Sequence, residues 1–104
     1  PEAIIIKGDK INVETWKSLL QETIKYLYAN YKEKFMVLES EGRFKRRTKV
    51  YISKDKDVFN HPGEVNDSYY VETLYSAEQM KKLVVHACSK FNISVNEMKI
   101  LYRQ

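Results

Sequence analysis

The sequence predicts an α+β fold in which a four-stranded sheet carries two main helices on one face. Two observations predict this fold. Two long segments repeat apolar residues at the i, i+3, i+4, i+7 spacing of an amphipathic helix, and short β-branched or tyrosine-rich runs flank them. The resulting order, β-α-(α)-β-β-α-β, is that of the ferredoxin-like split motif with one additional short helix. The alternative is a winged-helix-like fold in which residues 49–74 form the wing.

The chain begins with two short extended segments. Ala3–Lys7 is rich in isoleucine and ends at Gly8-Asp9, a sequence that favours a strand followed by a turn. A second extended segment is predicted over residues 10–13. Both segments are short enough to be strands of one small sheet.

Two helices are predicted next. Asn12 can cap the first helix, and Glu14 lies in its first turn, where a negative charge suits the helix dipole. This helix is expected to end near Asn30, and a short second helix is expected over residues 34–39. The apolar stripe of the first helix is Trp16, Leu19, Leu20, Thr23, Ile24, Leu27, Tyr28 and Tyr31.

The middle of the chain predicts two strands with a polar loop between them. Residues 49–53 are expected to form a strand, with Tyr51 on the face opposite to its two neighbours. Residues 54–66 are polar and contain a Pro-Gly pair, which indicates a loop. Residues 68–74 are the strongest strand candidate, because tyrosine, valine and threonine favour extended structure.

The last third predicts a helix and a final strand. Ser76 and Gln79 have the spacing of a capping box, in which each side chain accepts from the other residue's backbone N–H. A second capping box is predicted over residues 94–97, before a strand over 98–102. The helix buries a stripe made of Met80, Leu83, Val84, Ala87, Cys88 and Phe91.

Length and composition exclude several protein classes. A chain of 104 residues can form one core, and 43% apolar residues with eight tyrosines exclude disorder as the main state. Three glycines and one cysteine exclude collagen-like and disulfide-framework proteins, and no run approaches the roughly 20 apolar residues of a membrane span. Cys88 suits a core position and a reducing, cytoplasmic compartment. Because the chain begins at Pro1, we interpret residues 1–104 as a single domain excised from a larger protein.

Positive charge is concentrated in residues 43–49, which contain five Lys or Arg residues and no acidic one. Without these five charges the formal net charge would fall from +4 to −1. Such a local cluster with a neighbouring aromatic matches an anionic backbone, although it is equally compatible with a solvated loop. The predicted nucleic-acid-binding residues are Arg43, Lys45, Arg46, Arg47, Lys49, Tyr51 and Lys54.

Two weaker features extend this hypothesis. Tyr51, Tyr69 and Tyr75 would offer stacking surfaces to bases if they lay on the open face of a sheet. Lys82, His86 and Lys90 are four residues apart on the last helix, so they are either a solvated face or a positive stripe that meets phosphates.

The favoured function is therefore a non-catalytic nucleic-acid recognition module, with DNA preferred as its partner. No catalytic residue, metal site or cofactor is predicted. The second hypothesis is a protein-interaction or oligomerisation domain, and the third is a small metal-dependent nuclease. The nuclease hypothesis rests on the E-x-K spacing of Glu97 and Lys99, with an upstream carboxylate from Asp67, Asp55 or Asp57.

A set of short motifs resembles a small accessory domain found at the ends of larger bacterial proteins, including some related to restriction and phage defence. The resemblance covers about residues 3–102 and implies an add-on module for DNA or partner recognition, attached to a parent protein and without catalytic residues. The chain departs from the commoner form at Leu74, where a small polar residue is usual. The matching motifs are Val13-x-x-Trp16-x-x-Leu19-Leu20, Tyr26-Leu27-Tyr28, Phe35, Tyr51-Ile52-Ser53 and Tyr70-Val71-Glu72-Thr73-x-x-Ser76-Ala77.

Overall fold

The structure, a computed structural model that describes residues 1–103, is an α+β fold. Within those residues, three α-helices accompany antiparallel sheets of two or three strands. The helices are α1 (Trp16–Asn30), α2 (Lys32–Ser40) and α3 (Ala77–Ser89). The strands are β1 (Ala3–Ile6), β2 (Asp9–Asn12), β3 (Lys45–Arg46), β4 (Lys49–Val50), β5 (Ile52–Ser53), β6 (Pro62–Glu64), β7 (Tyr70–Glu72) and β8 (Met98–Leu101).

One sheet, in the order β2-β1-β8, joins the first two strands to the last. All pairs are antiparallel, and Ile4 of β1 lies opposite Ile11 on one side and Ile100 on the other. Ile4 and Ile6 are fully buried, so the central strand supplies apolar side chains to the core. The predicted segments 3–7 and 10–13 are therefore confirmed as strands, within one residue at their ends.

The expected four-stranded sheet is not found in the described part of the chain. Residues 49–53, predicted as one strand, change partner at Tyr51: β4 pairs with β3, whereas β5 pairs with β7. The Tyr51 N–H donates to the Phe44 carbonyl, and the Tyr51 carbonyl accepts from the Glu72 N–H. Tyr51 and Ile52 are consecutive and both buried, so side chains on both faces of the chain are covered at this point. The ferredoxin-like order is consequently not confirmed.

Residues 49–74 contribute several side chains to the core. Their sheet has the order β5-β7-β6, and its buried side chains include Ile52, Val65, Tyr69 and Val71. The winged-helix alternative needs this segment to extend from the domain as a wing. Here its buried side chains pack in the same core cluster as the apolar residues of the helices. The predicted strand 68–74 is shorter than expected and covers Tyr70–Glu72.

Helix starts follow local side-chain chemistry. The cap of α1 is Thr15 and not Asn12, which lies in β2; the Thr15 Oγ1 accepts from the Ser18 N–H at 3.0 Å, and the Ser18 Oγ accepts from the Thr15 N–H at 2.9 Å. The predicted capping box at residues 76–79 is confirmed for α3. At residues 94–97 the predicted box opens a single 3₁₀ turn. None of the helices within residues 1–103 has the length and apolar character that crossing a bilayer requires.

Aromatic rings form the centre of the core around Phe35 of α2. Its ring centroid lies 4.8 Å from that of Phe44, 5.0 Å from Tyr69 and 5.3 Å from Tyr28. Full burial of such a side chain contributes about 1.5–3 kcal/mol. Phe44, the aromatic residue within the basic segment 43–49, is buried and anchors the start of β3.

Candidate nucleic-acid interface

The predicted basic segment forms a β-hairpin, here called the basic hairpin (residues 45–50). Lys45 pairs with Val50 and Arg46 with Lys49, which leaves a two-residue loop at positions 47 and 48. Arg47 has φ +60°, in the left-handed region that normally favours glycine. A side chain in that region costs about 1–2 kcal/mol, so the tip of the hairpin is strained.

The base of the basic hairpin is attached to the core at two points. Phe44 precedes it, and the Phe44 and Tyr51 ring centroids are 5.9 Å apart. The His86 Nε2 of α3 lies 3.0 Å from the Lys45 carbonyl oxygen, where the protonated nitrogen donates. His86 also packs edge-on against Tyr51, with ring centroids 5.5 Å apart. The hairpin is therefore held against α3 at its base.

A cavity of about 250 Å³, here called the basic cavity, lies between the hairpin and the core. Arg46, Arg47 and Lys49 contribute its cationic lining. Leu74 and Leu83 contribute apolar lining from the loop before α3 and from α3 itself. Positive charge and apolar surface thus meet in one small concave site.

Three neutral polar side chains complete the lining of the basic cavity: Tyr51, Tyr75 and Gln79. Tyr51 is 1% exposed, and among the described residues its hydroxyl is the one buried side-chain polar atom without a hydrogen-bond partner. Burial raises the pKa of Tyr51, so the hydroxyl stays protonated and can donate. Leaving such a group unpaired costs about 1–3 kcal/mol.

The surroundings set the orientation of the Gln79 amide and the pKa of Tyr75. The Gln79 Oε1 accepts from the Ser76 N–H at 2.9 Å, which orients the amide so that its NH₂ is the free, donating end. Burial raises the pKa of Tyr75, and nearby Glu72 acts in the same direction, while Arg46 opposes it. The cavity therefore combines permanent cations with hydrogen-bonding groups that are uncharged near neutral pH.

Acidic partners are scarce around the basic hairpin. Within residues 1–103, Arg43 is the one cation of the 43–49 segment that has a carboxylate within 4.0 Å, at 3.7 Å from Glu41. Arg46, Arg47 and Lys49 have no such ion pair with any residue that the structure describes, so their fields add at the cavity.

Four of the seven predicted binding residues line the basic cavity, namely Arg46, Arg47, Lys49 and Tyr51. The remaining three, Arg43, Lys45 and Lys54, are exposed but do not line it. Lys54 instead places its Nζ 5.8 Å from the centre of the Tyr69 ring.

Positive charge continues from the basic hairpin onto α3. A shallow depression is lined by Arg46 together with Lys81, Lys82 and His86, so Arg46 borders both sites. Lys81 is already engaged, since its Nζ lies 3.5 Å from Glu78 and 5.3 Å from the centre of the Trp16 ring. Lys82 is consequently the lysine of α3 that extends the positive charge of the basic hairpin. The predicted stripe is found in part, because Lys90 does not line this depression.

Base stacking on the tyrosines is restricted by burial. Tyr51 is 1% exposed and Tyr69 3% exposed, so neither ring offers a face to a base. Tyr75 is half-buried and borders the cavity. Tyr75, predicted as a stacking surface, does lie beside the cations, whereas Gln79, predicted only as a capping residue, was not expected in the lining.

The groups behind the nuclease hypothesis have structural partners. The Glu97 Oε1 accepts from the Ser94 N–H at 3.1 Å, and this hydrogen bond lowers the pKa of Glu97. Its other oxygen lies 3.6 Å from the Lys7 Nζ. Within residues 1–103, no group of three or more His, Cys, Asp and Glu side chains is arranged to hold a metal ion. Cys88 is a core residue, as predicted, and burial raises its pKa to about 12.

Comparisons with known proteins identify no family for this domain. Protein-family models, curated proteins and solved structures yield no match to this chain. The resemblance to a bacterial accessory domain and the expected parent protein therefore stay predictions. What the chain itself supplies is a strained basic hairpin beside a small cavity with cationic, apolar and neutral polar walls.

Proposed function

We propose that this chain is a non-catalytic nucleic-acid-binding module, with DNA its preferred ligand, and that it binds through the basic hairpin and Lys82. The observation that carries the proposal is the convergence of Arg46, Arg47 and Lys49 on one cavity without carboxylate partners in the described residues. Unpaired cations that share a surface attract a polyanion and release its condensed counterions on binding.

The geometry of the basic hairpin suits this role. A two-stranded ribbon is narrow enough to enter the major groove of B-DNA, which also admits an α-helix. Its base is attached through Phe44 and His86, so its backbone loses little conformational freedom on binding. Arginine is also able to contact a phosphate or a guanine edge with two hydrogen bonds.

Salt dependence tests the proposal. Five cations, Lys45, Arg46, Arg47, Lys49 and Lys82, predict a slope of about −4 to −5 for log affinity against log salt on duplex DNA. Fluorescence anisotropy with labelled duplex DNA, single-stranded DNA and RNA would measure it, and the tightest ligand would identify the class. An affinity that is flat between low and physiological salt contradicts the proposal.

A matched pair of variants tests where binding occurs. Arg46→Gln combined with Lys49→Gln should weaken duplex binding at least about tenfold at low salt and reduce the slope by about 2. Lys10→Gln combined with Lys56→Gln removes the same charge from two exposed positions that do not line the basic cavity. Equal losses in the two double variants would show that only net charge matters.

A second candidate function, a protein-interaction domain, is favoured by one observation. Val50, Val58 and Leu74 are 37%, 58% and 56% exposed, yet all three line one cavity of about 290 Å³ next to the hairpin. Exposed apolar side chains that share a surface are typical of contact sites between proteins. Sedimentation equilibrium of the wild type and of Leu74→Asp tests it. Self-association that the substitution abolishes would support an oligomerisation role.

A further inference from the structure

We propose that the basic cavity receives one unpaired nucleobase of the bound nucleic acid, an inference that rests on the proposed function. The phosphates beside that base would lie against Arg46, Arg47 and Lys49, and the base itself would lie against Leu74, Leu83 and Tyr75. The juxtaposition that supports this is a row of cations next to an apolar, partly aromatic wall.

The size of the cavity limits what can enter. About 250 Å³ is less than the roughly 300 Å³ at which pockets for drug-sized ligands begin. A single base fits this scale, whereas a base pair would extend beyond it. A base inside a duplex is stacked and paired, so the occupant has to be unpaired or extruded.

The apolar and aromatic walls of the cavity favour a base over a bare phosphate. The Gln79 NH₂ is held as a donor by the capping hydrogen bond of its Oε1, and such a donor would suit the carbonyl oxygens and ring nitrogens that bases carry. The leucines and the Tyr75 ring would contribute nothing to a phosphate, but they suit the flat apolar face of a base. A site for phosphate alone would not need these walls.

Tyr51 is the most buried of the polar residues that line the basic cavity. Phenylalanine would fill the same space in the core without an unpaired hydroxyl, so the hydroxyl costs free energy in the ligand-free protein. Tyr51 borders the basic cavity, and a base within hydrogen-bonding distance of its hydroxyl would supply the missing partner. The same residue is thus expected to lower stability and to favour binding.

Three duplexes of one sequence test the inference by anisotropy at fixed salt. The first is fully paired, the second carries one central unpaired base, and the third carries an abasic residue at that position. The second should bind about tenfold tighter than the first, because stacking of one base contributes on this scale. The abasic duplex should lose this preference.

Two substitutions on α3 are matched in charge. Gln79→Glu keeps the capping box, which accepts Glu at this position, but replaces the donating NH₂ and lowers the net charge by one. Lys82→Gln lowers the net charge by the same amount outside the basic cavity. Gln79→Glu should reduce the preference for the unpaired base about fivefold, whereas Lys82→Gln should weaken all duplexes equally and keep the preference.

Tyr51→Phe supplies a variant that is expected to fold. Its melting temperature should equal or exceed that of the wild type, while the preference for the unpaired over the paired duplex falls about fivefold. An unchanged preference would remove Tyr51 from the base site.

The outcomes separate the two proposals. Equal affinity for paired and unpaired duplexes, or for the abasic and unpaired ones, overturns the base site and leaves nucleic-acid binding intact. A preference for a 5′-phosphorylated over an unphosphorylated duplex end, without a preference for the unpaired base, overturns it in favour of a phosphate site. Absence of binding to every nucleic acid at low salt overturns both proposals.

Discussion

The His86 Nε2 lies 3.0 Å from the Lys45 carbonyl oxygen, and this contact connects α3 to the first residue of the basic hairpin. The two residues are 41 positions apart in the chain. Their contact sets the distance between the cations of the hairpin and the lining that α3 supplies. A hairpin of two-residue strands would otherwise have little to hold it, since short isolated hairpins are marginally stable in water.

Replacing His86 by phenylalanine should loosen the hairpin without removing the ring that packs on Tyr51. The free energy of unfolding should fall by about 0.5–1.5 kcal/mol, because one hydrogen bond is lost. Hydrogen exchange should quicken at residues 45–50 more than in α1. His86→Gln, which retains a donor, should recover part of the protection; equal exchange in both variants would contradict the role of this contact.

Arg47 predicts opposite effects on stability and on binding. Arg47→Gly should raise the free energy of unfolding by up to about 1 kcal/mol, because glycine adopts φ +60° without strain. The same change should weaken duplex DNA binding through loss of a cation. Arg47→Ala removes the same charge but keeps the strain, so urea denaturation should separate the two variants while anisotropy should not. Equal stability of the two would show that the turn carries no strain.

Stability should decrease at alkaline pH, in part through Cys88. Burial raises its pKa to about 12 in the folded protein, whereas an unfolded thiol titrates near 8.5. Between these values the unfolded state binds fewer protons, so the contribution of this group falls by about 1.4 kcal/mol per pH unit.

Urea denaturation between pH 8 and pH 11 measures this slope. Cys88→Ala should be less stable at every pH because it leaves a small cavity, but its slope should be shallower than that of the wild type. Tyr26, whose pKa burial and the Asp9 hydrogen bond raise to about 12, acts in the same direction in both proteins. Parallel slopes would mean that the thiol does not contribute.

Gly63 of β6 should not tolerate a side chain. A Cβ there would lie 2.6 Å from the Thr73 Cγ2 and 2.8 Å from the Gln21 Nε2. Gly63→Ala should cost about 1–3 kcal/mol, because the Gln21 Nε2 already donates to the Glu64 carbonyl and ties α1 to this sheet. Thr73→Ser in the same chain should recover part of the loss in urea denaturation. No recovery would assign the cost to Gln21.

Helices were predictable from the sequence because their signals are local. The apolar spacing of α1 and α3, and the Ser76–Gln79 box, lie within one or a few turns of chain. The cap of α1 was predicted wrongly because Thr15 and Asn12 are both good capping residues. Asn12 instead pairs with Ala3 as part of β2.

Sheet pairing was not predictable in the same way, because strands choose partners far along the chain. Residues 49–53 have the pattern of one strand. The backbone of Tyr51, however, is hydrogen-bonded to Phe44, next to β3, and to Glu72 of β7, so the strand is interrupted there. The basic segment was visible as charge, yet which cations share a cavity depends on the turn at Arg47. Gln79 and Leu83 join that cavity only through the tertiary fold.

Trp16 is the chain's one tryptophan, and it begins α1 in contact with two distant regions. Its ring centroid lies 6.1 Å from that of Tyr102, just beyond β8, and 5.3 Å from the Lys81 ammonium of α3. Indole emission responds to a neighbouring charge and to exposure to water. The protein thus carries an intrinsic fluorophore at the junction of its first helix, last helix and last strand, away from the lining of the basic cavity, and unfolding can be followed there without a label while ligands occupy the other site.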